Sequence, residues 1–134
     1  MTTRAKGTFE VELKPQQPGD KNEDASLGRM SIDKQFHGEL EATSKGQMLT
    51  AGTSVKGSAG YVAIERVSGK LHGKSGTFIL QHSGTMMRGA PQLTITVVPD
   101  SGTDQLVNLA GKMTIEIANG KHSYVFEYTL AESP

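Results

Sequence analysis

The sequence has no cysteine among its 134 residues, so no disulfide can staple it. No apolar run approaches the ~20 residues that a bilayer-crossing helix requires. The opening residues MTTRAKGTFE lack the apolar stretch of a secretory signal, and no Asn-x-Ser/Thr sequon occurs. These absences lead to the expectation of a soluble, cytoplasmic protein away from any membrane, with a periplasmic home left open. An excess of one charge sign is missing as well: Lys and Arg total 14, and so do Asp and Glu. Without a net positive field to displace phosphate counterions, nucleic acid is not expected as a partner.

Helical spacing with caps is also missing, whereas glycine is abundant, at 16 residues against 5 prolines. The glycines fall between short stretches in which apolar and polar residues alternate, which is the punctuation of β-strands. Period-two alternation runs over residues 7–13, 28–40, 46–55, 60–71, 76–82, 92–98, 109–117 and 122–130. Asn119 and Gly120 form a strong two-residue hairpin signal between the last two. The length fits one compact domain over residues 1–134. Eight antiparallel strands in so short a chain must hide their edges, and closure does so. The expected fold is therefore all-β: a single eight-stranded, up-and-down antiparallel β-barrel, with an interior that is either filled or holds one small ligand. The polar stretch KPQQPGDKNEDASLG, residues 14–28, reads as a mobile loop between the first two strands.

The segments SIDKQFHGELEATSKGQML, GSAGYVAIERVSGKLHGKSGTFILQHSGTM, VVPDSGT and GKHSYVFEYTL resemble the small bacterial proteins of domain-of-unknown-function family 3224. The resemblance spans nearly the whole chain. It implies a calycin-like barrel resembling that of the allene oxide cyclases, and it brings no activity with it. Allene oxide cyclases bind an unsaturated fatty-acid epoxide inside the barrel, but their catalytic residues do not map onto this chain, and fold alone does not transfer chemistry.

The familiar motifs are decoys. Gly-Lys-Ser at 73–75 lacks the earlier glycine of a phosphate loop, since Ser68 stands in its place, and it lies between strands rather than before a helix. His37, His72, His82 and His122 are far apart and show no metal-ligand spacing. No nucleotide, flavin or metal motif is present, so neither a cofactor nor a metal is expected. Met86 and Met87 read either as flexible apolar cover over an opening or an interface, or as a loop packing on its own core.

The informative residues are polar groups that interrupt apolar faces. Lys34 shares a face with Met30, Ile32, Phe36 and Leu40, and reads either as a site residue or as a strand-end lysine reaching water. In the fourth strand, Tyr61, Ala63, Glu65 and Val67 share one face and Val62, Ile64, Arg66 and Ser68 the other, so either Glu65 or Arg66 points inward. A carboxylate there needs a cation or a hydrogen-bond donor. In the fifth strand, Phe78 and Leu80 lead to His82. A hairpin through residues 69–75 places Glu65 opposite residues 80–82, which makes Glu65 and His82 either an acid–base pair or a structural one. The last strand puts His122, Tyr124, Phe126 and Tyr128 on one face, as core or as a stacking wall. The candidate catalytic residues are thus Glu65 and His82. The candidate ligand-binding residues are Lys34, Tyr61, Phe78, Leu80, Tyr124, Phe126 and Tyr128.

Three functions fit this lining: a binder of a small apolar molecule, a cofactor-free isomerase, cyclase or lyase using Glu65 or His82 for proton transfer, and a structural homo-oligomer with a filled barrel. The apolar positions on both faces of YVAIERV favour a homodimer.

Overall fold

The computed structural model describes residues 2–15 and 27–131. They form strands β1 (Thr3–Pro15), β2 (Leu27–Gly38), β3 (Leu40–Gly52), β4 (Ala59–Leu71), β5 (Lys74–Met87), β6 (Ala90–Val97), β7 (Leu109–Ala118) and β8 (Lys121–Leu130). Each pairs antiparallel with the next, and β8 returns to β1 to close the barrel. The alternation read from the sequence is what the barrel uses, with one set of alternate side chains turned inward and the other toward water.

Three hairpins close through pairs of left-handed residues: His72 and Gly73, Arg88 and Gly89, and Asn119 and Gly120. Such turns carry the same twist as the strands they join. At the β2–β3 corner, Gly38 has φ +111, and a Cβ there would lie 2.7 Å from the Lys6 carbonyl oxygen. The alternation continues through this corner, so period two alone merged residues 39 and 40 into the second strand and began the third too late, at Gly46. Of the polar stretch 14–28, Lys14 and Pro15 belong to β1 and Leu27 and Gly28 to β2. Its residues 16–26 lie outside the described residues.

The two ends of the barrel differ. One is packed solid by Phe36, Leu40, Leu71, Phe78, Phe126 and Tyr124. A short 3-10 turn, Asp104–Leu106, lays buried Leu106 across this end. The Tyr124 hydroxyl fastens it, accepting from the Leu40 N–H at 3.0 Å and lying 3.0 Å from the His37 carbonyl oxygen. Toward the other end, β6 and β7 pair only through Ile95 with Met113 and Thr96 with Lys112. Beyond them the wall splays, and among the described residues the interior is open.

Candidate functional site

Between the packed end and the open end lies a buried polar layer. It exists because four strands each turn one polar side chain inward at the same height. Lys34 on β2 is paired in register with Ser44 on β3. On β4, Glu65 faces Gly46 of β3 on one side and Leu80 of β5 on the other. His82 lies opposite Ala63, two positions from direct register with Glu65, and hence on the same face.

Glu65 is 0% exposed, His82 is 4% exposed and the Lys34 side chain is 8% exposed. Lys34 Nζ donates to Glu65 Oε2 at 2.9 Å, and the Ser44 hydroxyl donates to Oε1 at 3.1 Å. His82 Nε2 also stands 2.9 Å from Oε2. It lies off the line of a directed hydrogen bond, which leaves the ring nitrogen without a geometric partner among the described residues. Lys34 is cushioned by the faces of Phe9 and Phe36, 5.2 and 5.8 Å from their centroids.

Burial pushes the Glu65 carboxyl up, but the neighbouring His82 nitrogen and the Lys34 charge outweigh it, and the group titrates below the ordinary carboxylate range. Glu65 is thus held as an anion. Gly46 makes room for it: a Cβ there would lie 2.1 Å from the Ile64 carbonyl oxygen and 2.6 Å from Glu65 Cα.

Above this layer stands Tyr61, its ring centroid 6.4 Å from that of His82. Burial, followed by the charge of Glu65, raises its hydroxyl above the usual tyrosine value. Gly84 gives the ring its place, since a Cβ there would come within 2.5 Å of it. Tyr61 also lines an opening of about 580 Å³, whose other walls include Met30, Met48, Met86, Leu93 and Ile117. The sequence of environments is therefore solvent, apolar mouth, phenol, imidazole and ion pair.

Among the candidates, Lys34, Tyr61, Glu65 and His82 come together, with Leu80 packed directly opposite Glu65. Glu65, not Arg66, points inward. Lys34 is not a strand-end lysine reaching water, because it sits inside β2 and reaches across the inner face to Glu65. Phe78, Tyr124, Phe126 and Tyr128 belong to the core of the closed end and do not line the opening. Ser44 was missed from sequence because the expected third strand began two residues after it. Once the strand starts at Leu40, Ser44 is visible as a hydroxyl on the Leu40–Ala42 face.

The remaining histidines have separate surroundings. His37 lies 3.4 Å from Glu10. His72 bridges the Tyr128 hydroxyl and Glu39. His122 packs on Phe9, with ring centroids 5.2 Å apart.

Comparison with known proteins agrees with this architecture and adds no activity. Residues 5–128 match the family model described as protein of unknown function (DUF3224). A solved structure of a protein with unknown function from the DUF3224 family of Shewanella oneidensis MR-1 is 48% identical, with a TM-score of 0.93, covering 99% of this chain and 100% of that chain. No curated protein matches the chain.

Proposed function

We propose that this chain, which belongs to the DUF3224 family of proteins of unknown function, binds a small apolar molecule in the open end of its barrel. One observation carries this reading: an apolar opening of about 580 Å³ that ends at Tyr61, against a buried, charge-paired floor. Concave apolar walls with a few convergent polar groups are the usual character of a small-molecule site. A barrel like that of the allene oxide cyclases is part of this proposal for its geometry alone.

Thermal melting with a panel of hydrophobic small molecules tests it. A ligand present at about 100 times its Kd stabilises the native state by ~2.7 kcal/mol. In the Met48→Trp variant, which fills the mouth, that rise should vanish while the barrel still folds. If no compound raises the wild-type midpoint, or if Met48→Trp leaves every rise intact, the opening is not a binding site.

A second reading, cofactor-free proton transfer, is favoured by the placement of His82 between Tyr61 and Glu65. In it His82 moves the proton and Glu65, fully buried and engaged by three groups, positions the imidazole. Glu65→Gln would then retain binding and lose turnover.

Association into a homodimer is part of the same proposal. On the outer face of β3 and β4, Leu49, Val62 and Ile64 are 56%, 51% and 48% exposed, and Leu49 is paired directly with Val62. Ile64→Lys should shift the molar mass measured by light scattering from that of a dimer to that of a monomer. A wild-type protein that is already monomeric at high concentration would remove this part.

A further inference from the structure

The proposed pocket has a property that narrows its ligand. Its lining combines methionine, leucine, isoleucine, alanine, glycine and proline with the neutral polar side chains of Thr50, Tyr61, Thr85 and Gln92, and among the described residues contains no Lys, Arg, His, Asp or Glu. The charged groups that face the interior beneath it are few. Among the described residues, Lys34 comes from β2, Glu65 from β4, the titratable His82 from β5 and His122, packed on Phe9, from β8, while β3 contributes the Ser44 hydroxyl at this height. The inward residues of β6 and β7 at this level, Ile95 and Met113, are apolar.

Lys34 and Glu65 cancel each other at 2.9 Å. A ligand anion seated on Tyr61 would find the Lys34 ammonium already engaged by Glu65. A ligand cation would find, among the described residues that line the pocket, no carboxylate free to take it. Burying an unpaired charge costs several kcal/mol, far more than one hydrogen bond returns. A neutral oxygen meets no such penalty, because the Tyr61 hydroxyl is a donor that burial and Glu65 together keep protonated.

Resting on the binding function proposed above, we infer that the ligand is an uncharged lipophile with an apolar body and a single hydroxyl or carbonyl oxygen, and that this oxygen enters first and is met by Tyr61. The pocket selects against carboxylates and ammonium ions of the same shape. Selection of this kind is negative: it comes from the absence of a counter-charge rather than from a better contact.

Matched probes of one chain length test this directly: undecanol, undecan-2-one, undecanoic acid and undecylamine, titrated calorimetrically at about pH 8, where the acid and the amine are both ionised. The alcohol and the ketone are expected to bind at least about tenfold tighter than either ion, a difference of ~1.4 kcal/mol. In Tyr61→Phe, which keeps the ring and removes the donor, the alcohol and ketone should weaken about fivefold, as loss of one hydrogen bond requires.

Equal affinity for all four probes would mean that the polar end remains in water, and would overturn the inference while leaving the pocket in place. Tighter binding of undecanoate would overturn it in favour of a role for His82 or Lys34 as a counter-cation. If none of the four binds, the pocket itself fails, and the inference with it.

Discussion

Replacing Lys34 by methionine isolates the energetics of the buried layer, because it removes one charge while leaving the volume nearly unchanged. Glu65 would then be a fully buried carboxylate that has lost its partner at 2.9 Å. Its remaining contacts are the Ser44 hydroxyl at 3.1 Å and the off-axis His82 nitrogen. Breaking a buried pair in this way typically costs ~3–5 kcal/mol. For a chain of this length, ~1 kcal/mol moves the midpoint by about 4 °C, so Lys34→Met should melt about 12–20 °C below wild type at neutral pH.

The pH dependence carries the sharper test. In the wild type the folded-state pKa of Glu65 lies below its ordinary value, so its contribution is present above the unfolded pKa and is lost as pH falls through the folded one. In Lys34→Met the Lys34 charge no longer offsets burial, so the folded-state pKa of Glu65 is expected to rise above its unfolded value. A raised folded-state pKa contributes stability below the unfolded pKa and loses it as pH rises through the folded one. The variant should therefore become more stable as pH is lowered from neutrality toward the carboxylate range, where the wild type becomes less stable. Melting curves followed by circular dichroism across that range read both slopes. A loss below ~1 kcal/mol, or a variant whose midpoint tracks the wild type at every pH, would refute a charge-paired layer. The double variant Lys34→Met/Glu65→Leu should recover most of the loss, since an apolar replacement of a buried ion pair is often neutral or stabilising.

Three further outcomes follow from the same geometry. Tyr124→Phe leaves the buried Leu40 N–H without its acceptor at 3.0 Å and should cost ~1–3 kcal/mol in urea unfolding, with no effect on ligands at the open end. Gly46→Ala drives a Cβ to 2.1 Å from the Ile64 carbonyl oxygen, and should destabilise by ~1–3 kcal/mol or more and displace Glu65 from Lys34, seen as a changed Lys34 ammonium environment by NMR. Glu39 accepts from the Lys6 N–H at 2.8 Å and contacts His72 at 3.2 Å, which together hold it below the ordinary carboxylate range. Glu39→Gln should thus melt earlier than wild type at neutral pH, and the gap should close as pH falls through the folded pKa of Glu39. A gap that persists in acid would show that the carboxylate charge is not the relevant feature.

The sequence by itself determined the strand count, the antiparallel order and which residues of a strand share a face, because alternation and turn chemistry are local properties of the chain. It placed Glu65 with Tyr61 on one face of the fourth strand and His82 with Phe78 and Leu80 on one face of the fifth. Hairpin arithmetic brought Glu65 and His82 near each other without deciding whether they met. Period two is blind to which face is inside, and only closure of the barrel decided that Glu65 rather than Arg66 is buried. Closure also brought Lys34 to Glu65, although β3 lies between their strands: the contact crosses Gly46, and no pairing rule between neighbouring strands could have shown it. The asymmetry of the ends is tertiary as well. Tyr124, Phe126 and Tyr128 of β8 read as a pocket wall, yet they fill the closed end, because Leu106 and the 3-10 turn pack over it. The open end is where β6 and β7 part after two paired positions, leaving the apolar side chains of Leu93 and Ile117 to line a space rather than a core.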